Sequence, residues 1–354
     1  MTSRQAAVRT APPYKVLTAG RRVALPVRRV PVLTALALLV LLAAGAVATL
    51  SLGRLGIALA DLPGALAGGA EGRDAFVLER LRGPRLTVAV GTGAALGLSG
   101  ALFQSVTRNP LGSPDVIGLA SGAGAGAAVA ALLFPDTVPV ALGALLGAVL
   151  AMALVYVSTG TGFRSPARLV IAGIGVAAIG TAITQYVVYA MERDRAAALT
   201  AYVNGSLSAR SWTDATTIWL VLLAVAPLTA LISRRLDIGE MGDDLASALG
   251  SRPRTTKSVA VVLAIALSAG AVSVAGPVAF VALTAPQIAR RITRLSGPHL
   301  ALSALTGALL LVLADLCAQQ VPFLGHPPVG ICTMAVGGVY LGWLLIREWR
   351  RGVL

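Results

Sequence analysis

Residues able to do chemistry are few and scattered in this 354-residue chain. Lysine occurs only at Lys15 and Lys257, histidine only at His299 and His326, and cysteine only at Cys317 and Cys332. Neither lysine closes a GxxxxGK[ST] loop, so the chain carries no P-loop. The histidines stand apart, with no HExxH and no Ser/His/Asp arrangement to serve hydrolysis. Gly91-Thr-Gly93 lies in an uncharged run without the strand–turn–helix setting a dinucleotide needs. The cysteines make no CxxC; packing explains them, and a disulfide between neighbouring helices stays open. No cofactor, no resident metal and no catalytic residue is expected.

Four polar features still ask for a reason. Asp315 is the one acidic residue deep in an apolar run. A carboxylate in a membrane is expensive, so it is either a proton or ion relay or a helix–helix hydrogen-bonding group near the outer third of its span. Arg82 and Arg85 flank Gly83-Pro84. They either snorkel to headgroups or offer planar forks to carboxylates of a partner. Asn109-Pro110-Leu111 is a tight turn at the end of an apolar run. Finally, 234–257 reads RRLDIGEMGDDLASALGSRPRTTK. Gly242-Asp243-Asp244 can open a short helix with acids at its positive end, Ala246, Ala248 and Leu249 give it an apolar side, and Gly250 ends it.

The elements that must position these residues follow from composition. Hydrophobic residues make up 56% of the chain and charged residues 12%, against about a quarter charged in soluble domains. Charges cluster between apolar runs, which fits a polytopic α-helical membrane protein and not a barrel of alternating strands. Ten spans are expected, near 30–52, 86–106, 115–134, 137–158, 168–190, 213–233, 257–275, 278–293, 300–320 and 328–346. Gly276-Pro277 should break the path between the seventh and eighth. With the N-terminus inside, 21 of the 29 basic residues fall inside and eight outside, so both termini are expected in the cytoplasm. Residues 1–29, basic and without an acid, read as a disordered cytoplasmic tail, and residues 30–354 as one transmembrane domain. The net charge of +14 suits anionic lipid rather than nucleic acid, because no basic block is interleaved with aromatics. Small-xxx-small pairs at Gly93/Gly97, Gly118/Gly122, Gly122/Gly126, Gly143/Gly147 and Gly338/Gly342 read as close helix packing.

The stretch LRGPRLTVAVGTGAALGLSGALFQSVTRNPLGSPDVIGLASG, residues 81–122, closely resembles the LRLPR…G…QxxTRNPLxxPxxLG signature of the permease subunits of bacterial ABC importers for ferric siderophores and vitamin B12. The resemblance continues through GEMGDDLASALG, Gly276-Pro277-Val-Ala-Phe280, Pro286-Gln287-Ile-Ala-Arg290-Arg291, Leu313-Ala314-Asp315, Pro328-Val329-Gly330 and Gly337-Gly338-Val-Tyr340. Within the family it looks most like the ferric-enterobactin-type subunits.

That resemblance implies a type II ABC importer permease fold in the cytoplasmic membrane. It implies a second permease subunit, here a homologous heterodimer partner, two ATP-binding subunits on separate chains, and an extracytoplasmic siderophore-binding protein. It makes Arg82 and Arg85 the docking residues for that binding protein. Asn109 and Leu111 become the cytoplasmic gate, with 164–168 as a second constricting loop. Gly242, Asp243, Asp244, Leu249 and Gly250 become the coupling segment that meets the ATPase. Gln287 stands where the family commonly has His, and His326-Pro327-Pro328 replaces a Glu/Gln-Leu-Pro segment. The cargo is expected to be ferric siderophore. A cobalamin or haem importer is the alternative within the class, and a proton-coupled carrier using Asp315 the alternative outside it.

Overall fold

The computed structural model describes residues 15–19, 23–27, 29–53, 55–135, 137–160, 166–321, 325 and 327–349. Arg54, Arg164, Ser165 and His326 lie outside the described residues. Each of the ten apolar segments expected from the sequence coincides with a helix. These are α1 (Arg29–Ser51), α2 (Gly83–Thr107), α3 (Leu119–Leu133), α4 (Val140–Ser158), α5 (Pro166–Ala190), α7 (Trp212–Gly239), α9 (Pro253–Ala275), α10 (Val281–Thr293), α11 (Leu300–Gln320) and α12 (Val329–Trp349). Two more, α6 (Arg193–Val203) and α8 (Asp243–Ala248), lie in the connections. Seven of the described helices are long and apolar enough to cross a bilayer; α3 and the stretch Val329–Leu344 of α12 are apolar but shorter. The N-terminal segment, read as a disordered tail, contains an antiparallel ribbon pairing Lys15–Ala19 with Val23–Val27.

Helix α2 is the hub. It packs against α7, α9, α10 and α11, while α3, α4 and α5 form a second group joined to it through α9. Backbones touch where glycine removes the side chain. A Cβ on Gly97 would run into the Ser303 carbonyl, and one on Gly307 into the Gly93 carbonyl. Gly122 and Gly126 of α3 face Gly147 and Gly143 of α4 in the same way. Lipid gives helices no hydrophobic reason to associate, so such close fits supply the attraction by dispersion. Gly338 and Gly342 have nothing within 4 Å, so the last small-residue pair has no partner helix within the described chain.

Gly276, at φ +70, ends α9, and α10 begins five residues later at Val281. The last turn of α6 and the loop after it fill this break. The Tyr202 hydroxyl donates to the carbonyls of Val272 (2.9 Å) and Ser273 (3.1 Å), and the Ser206 N–H to the Ala275 carbonyl (2.8 Å). Backbone groups freed by a broken helix must find partners inside a membrane protein, and this loop provides them. A capping box then starts α7: the Ser211 hydroxyl accepts from the Asp214 N–H, and the Asp214 carboxylate from the Ser211 N–H.

Candidate functional site

Helical turns from Gly72 to Arg82 run directly into α2 and fix where Arg82 and Arg85 point. Both turn inward. Arg82 is buried and donates through Nη1 to the Thr49 carbonyl at 2.6 Å. Arg85 forms a fork with Asp315: Nε lies 3.1 and 3.0 Å from the two carboxylate oxygens and Nη2 lies 2.7 Å from Oδ1. Gln319, one turn along α11, donates to Asp315 Oδ2 at 2.6 Å. The carboxylate, almost fully buried, therefore has both oxygens filled. Sequence reasoning had singled out Arg85 and Asp315 separately and given them different roles. The signal that joins them is that each is the one charged residue within its helix.

At the other end of α2, Arg108 adopts a left-handed conformation (φ 49) that stops the helix and turns the chain. Asn109 Oδ1 accepts from the Leu111 N–H at 2.9 Å, and the Gly112 N–H donates to the Asn109 carbonyl at 3.0 Å. Leu111 is exposed. A small space of about 50 Å³ separates this elbow from Leu169 and Val170 at the start of α5. Gln287 Nε2 donates to the Pro110 carbonyl at 2.7 Å. In turn Gln104 Nε2 donates to the Leu283 carbonyl at 2.9 Å, and Arg290 caps Gln104 Oε1. Gln287 thus ties the elbow to α10, and Gln104 ties the last turns of α2 to it. Sequence reasoning noted Gln287 only as a departure and missed this role, although an amide is the right replacement for His as a donor to a carbonyl.

The segment 242–250 folds as α8, preceded by Gly242 at φ +112 and followed by Gly250 at φ +77, conformations that suit glycine. Asp243 sits at its first position. Its carboxylate accepts from Lys257 Nζ at 2.7 Å and pairs with Arg108, whose Nη2 also donates to the Gly239 carbonyl at 2.8 Å. The Lys257 hydrogen bond, ahead of the Arg108 charge, holds the Asp243 carboxyl below its ordinary pKa. Ala246 is buried, while Leu245 and Leu249 are exposed. Asp243 therefore links three elements: the elbow after α2, the connecting helix α8 and the start of α9.

Among the described residues no cluster of His, Cys, Asp or Glu could hold a metal ion, and both thiols are free. The fold is shared with a solved structure described as an inward-facing conformation of a metal-chelate type ABC transporter, with a TM-score of 0.78 at 23% identity over 88% of this chain and 98% of that one. At that identity the likeness shows a shared multi-helix fold. More particularly, the profile of the FecCD transport family matches residues 38–347, and the chain belongs to that family. Relatives include the ferric enterobactin transport system permease protein FepG of Escherichia coli K12, 40% identical over 81% of this chain and 87% of FepG. The Fe(3+) dicitrate permease protein FecD of the same organism is 36% identical over 77% and 86%. The Fe(3+)-citrate permease protein YfmE of Bacillus subtilis 168 is 34% identical over 78% and 84%.

Proposed function

We propose that the chain is the transmembrane subunit of an ATP-driven importer that carries ferric siderophore across the cytoplasmic membrane, with both termini inside. The observation that carries the coupling is Asp243, which ties α8 to Arg108 at the end of α2. Two ATP-binding subunits on other chains dock against α8, with Leu245 and Leu249 supplying apolar area. A shift of α8 then pulls on Arg108 and moves Asn109 and Leu111, which narrow the inner end of a pathway shared with a homologous second permease. An extracytoplasmic binding protein delivers the chelate to the outer rim; Arg82 and Arg85, expected from the resemblance to dock it, are taken up by the Thr49 carbonyl and Asp315 and act by holding the rim in shape, while Arg80 stays exposed beside them. Ferric chelates named for the relatives, enterobactin and citrate, support the cargo class.

The carrier reading needs an open carboxylate that gains and loses a proton. Asp315 offers none in this conformation, because Arg85 and Gln319 occupy both oxygens. Uptake of radioiron-labelled siderophore by the complete assembly tests the proposal. Uptake should stop when the ATPase subunit is inactivated and persist when a protonophore is added. Uptake that survives an inactive ATPase and collapses with the proton gradient would overturn it.

A further inference from the structure

Helices α7 and α11 both pack on α2 yet leave a groove between them, a cavity of about 1120 Å³. Leu98 of α2 forms its floor, Ala226 and Ala230 of α7 one wall, and Leu302 and Ala304 of α11 the other. Val32, near the start of α1, closes one edge. The groove changes character along its length. Ala226 lies halfway along α7, and fourteen residues further on the groove ends at Asp237 and Glu240. At 1.5 Å per residue that is about 21 Å. One leaflet of hydrocarbon is about 15 Å deep, so the apolar part fits an acyl chain and the acidic end reaches headgroup level.

Two neighbouring carboxylates at that end are unusual in a chain with net charge +14. Glu240 is exposed at the groove's end, yet partial desolvation lifts its carboxyl above its ordinary pKa, and Asp237 beside it lifts it further. Arg290, the Gly297 N–H and His299 oppose this only in part. A compact cation between the two acids would relieve their repulsion, whereas an anionic headgroup would add to it. An ATPase segment fits less well, since half of the groove lies at hydrocarbon depth.

We propose that this groove is a binding site for one phospholipid with a primary-amine headgroup, of the phosphatidylethanolamine class, its acyl chain along α7 and α11 and its ammonium between Asp237 and Glu240. The ammonium brings three donors on a small charge, which suits two acceptor-only carboxylates. The inference is independent of the cargo and of the energy source.

Native mass spectrometry of the full chain in detergent tests it, with phosphatidylethanolamine or phosphatidylglycerol added. The wild type should retain the former over the latter by about fivefold, the scale of a partly exposed ion pair. Asp237→Asn with Glu240→Gln should remove that preference, lowering phosphatidylethanolamine retention and raising that of phosphatidylglycerol as the repulsion is lifted. Ala230→Trp, which fills the groove without altering charge, should lower retention of both lipids. Equal retention of the two lipids by the wild type would overturn the proposal, and so would a double variant that keeps the preference. If Ala230→Trp keeps full lipid retention, the lipid sits elsewhere. Transport is not the readout, so failure here leaves the proposed import function standing.

Discussion

Arg85 and Asp315, 230 positions apart in the chain, lock α2 to α11 through a two-pronged ion pair closed to 2.7 Å at its shortest. Removing one partner strands the other charge out of water. Arg85→Ala should therefore destabilise the chain by about 3 kcal/mol, the lower end of the range because Arg85 still reaches solvent. Arg85→Met with Asp315→Leu should recover most of that loss, since it removes both charges together. Thermal unfolding in detergent checks both. If the single variant unfolds like wild type, the pair is not a fastening.

Arg108 and Asp243 lie at an exposed site, so their pair adds under about 1 kcal/mol to stability. Arg108→Gln and Asp243→Asn should each leave unfolding nearly unchanged but separate ATP hydrolysis from uptake. The double variant should be no worse than either single one, as expected for residues acting as one unit. Additive losses of uptake would mean that the two act independently.

Leu249 is 58% exposed at the end of α8. Leu249→Asp should cost nothing in folding. It should reduce copurification of the ATPase, because an unpaired charge would then enter a desolvated contact at a cost of several kcal/mol. Copurification at the wild-type level would remove Leu249 from the interface.

Gly97 and Gly126 face backbone carbonyls, at Ser303 and Gly143. Backbone cannot rotate away as a long side chain can. Gly97→Val and Gly126→Val should therefore lower the yield of folded protein severely, beyond the ~1 kcal/mol of an ordinary substitution. Gly338→Val meets nothing within 4 Å, and the isolated chain should tolerate it. Size-exclusion profiles of the three variants read the difference. A monodisperse Gly97→Val protein would contradict the packing argument.

Asp115 follows the elbow, between α2 and α3, and burial pushes its carboxyl up to about 6 against the lowering effect of the Ser113 hydroxyl. A raised carboxyl stabilises the fold below the unfolded value of 3.8, and that contribution is lost as pH rises through about 6. At pH 7 the ionised form costs roughly 3 kcal/mol, from two units at about 1.4 kcal/mol each. Asp115→Asn should raise the unfolding temperature at pH 7.5 more than at pH 5 and flatten the profile between them. A profile with the same slope in both proteins would show that Asp115 is solvated.

Hydropathy and punctuation are enough to place a helix in each of the ten expected segments and the break at Gly276-Pro277, because burial in lipid selects residue type locally and the pattern survives without neighbours. Gly242 and Gly250 likewise marked the limits of α8, since few residues other than glycine adopt positive φ easily. The helix α6 was not legible: its residues RDRAAALTAYV mix charge with small apolar side chains, and its reason for being is Tyr202 reaching the carbonyls of Val272 and Ser273. The partners of the singled-out charges were not legible either. On sequence alone Arg85 reads as facing a docking protein or a headgroup, and Asp243 as facing solvent. Which of these holds depends on the rotation and depth of helices distant in the chain, and only the close fit of glycine faces around α2 sets both.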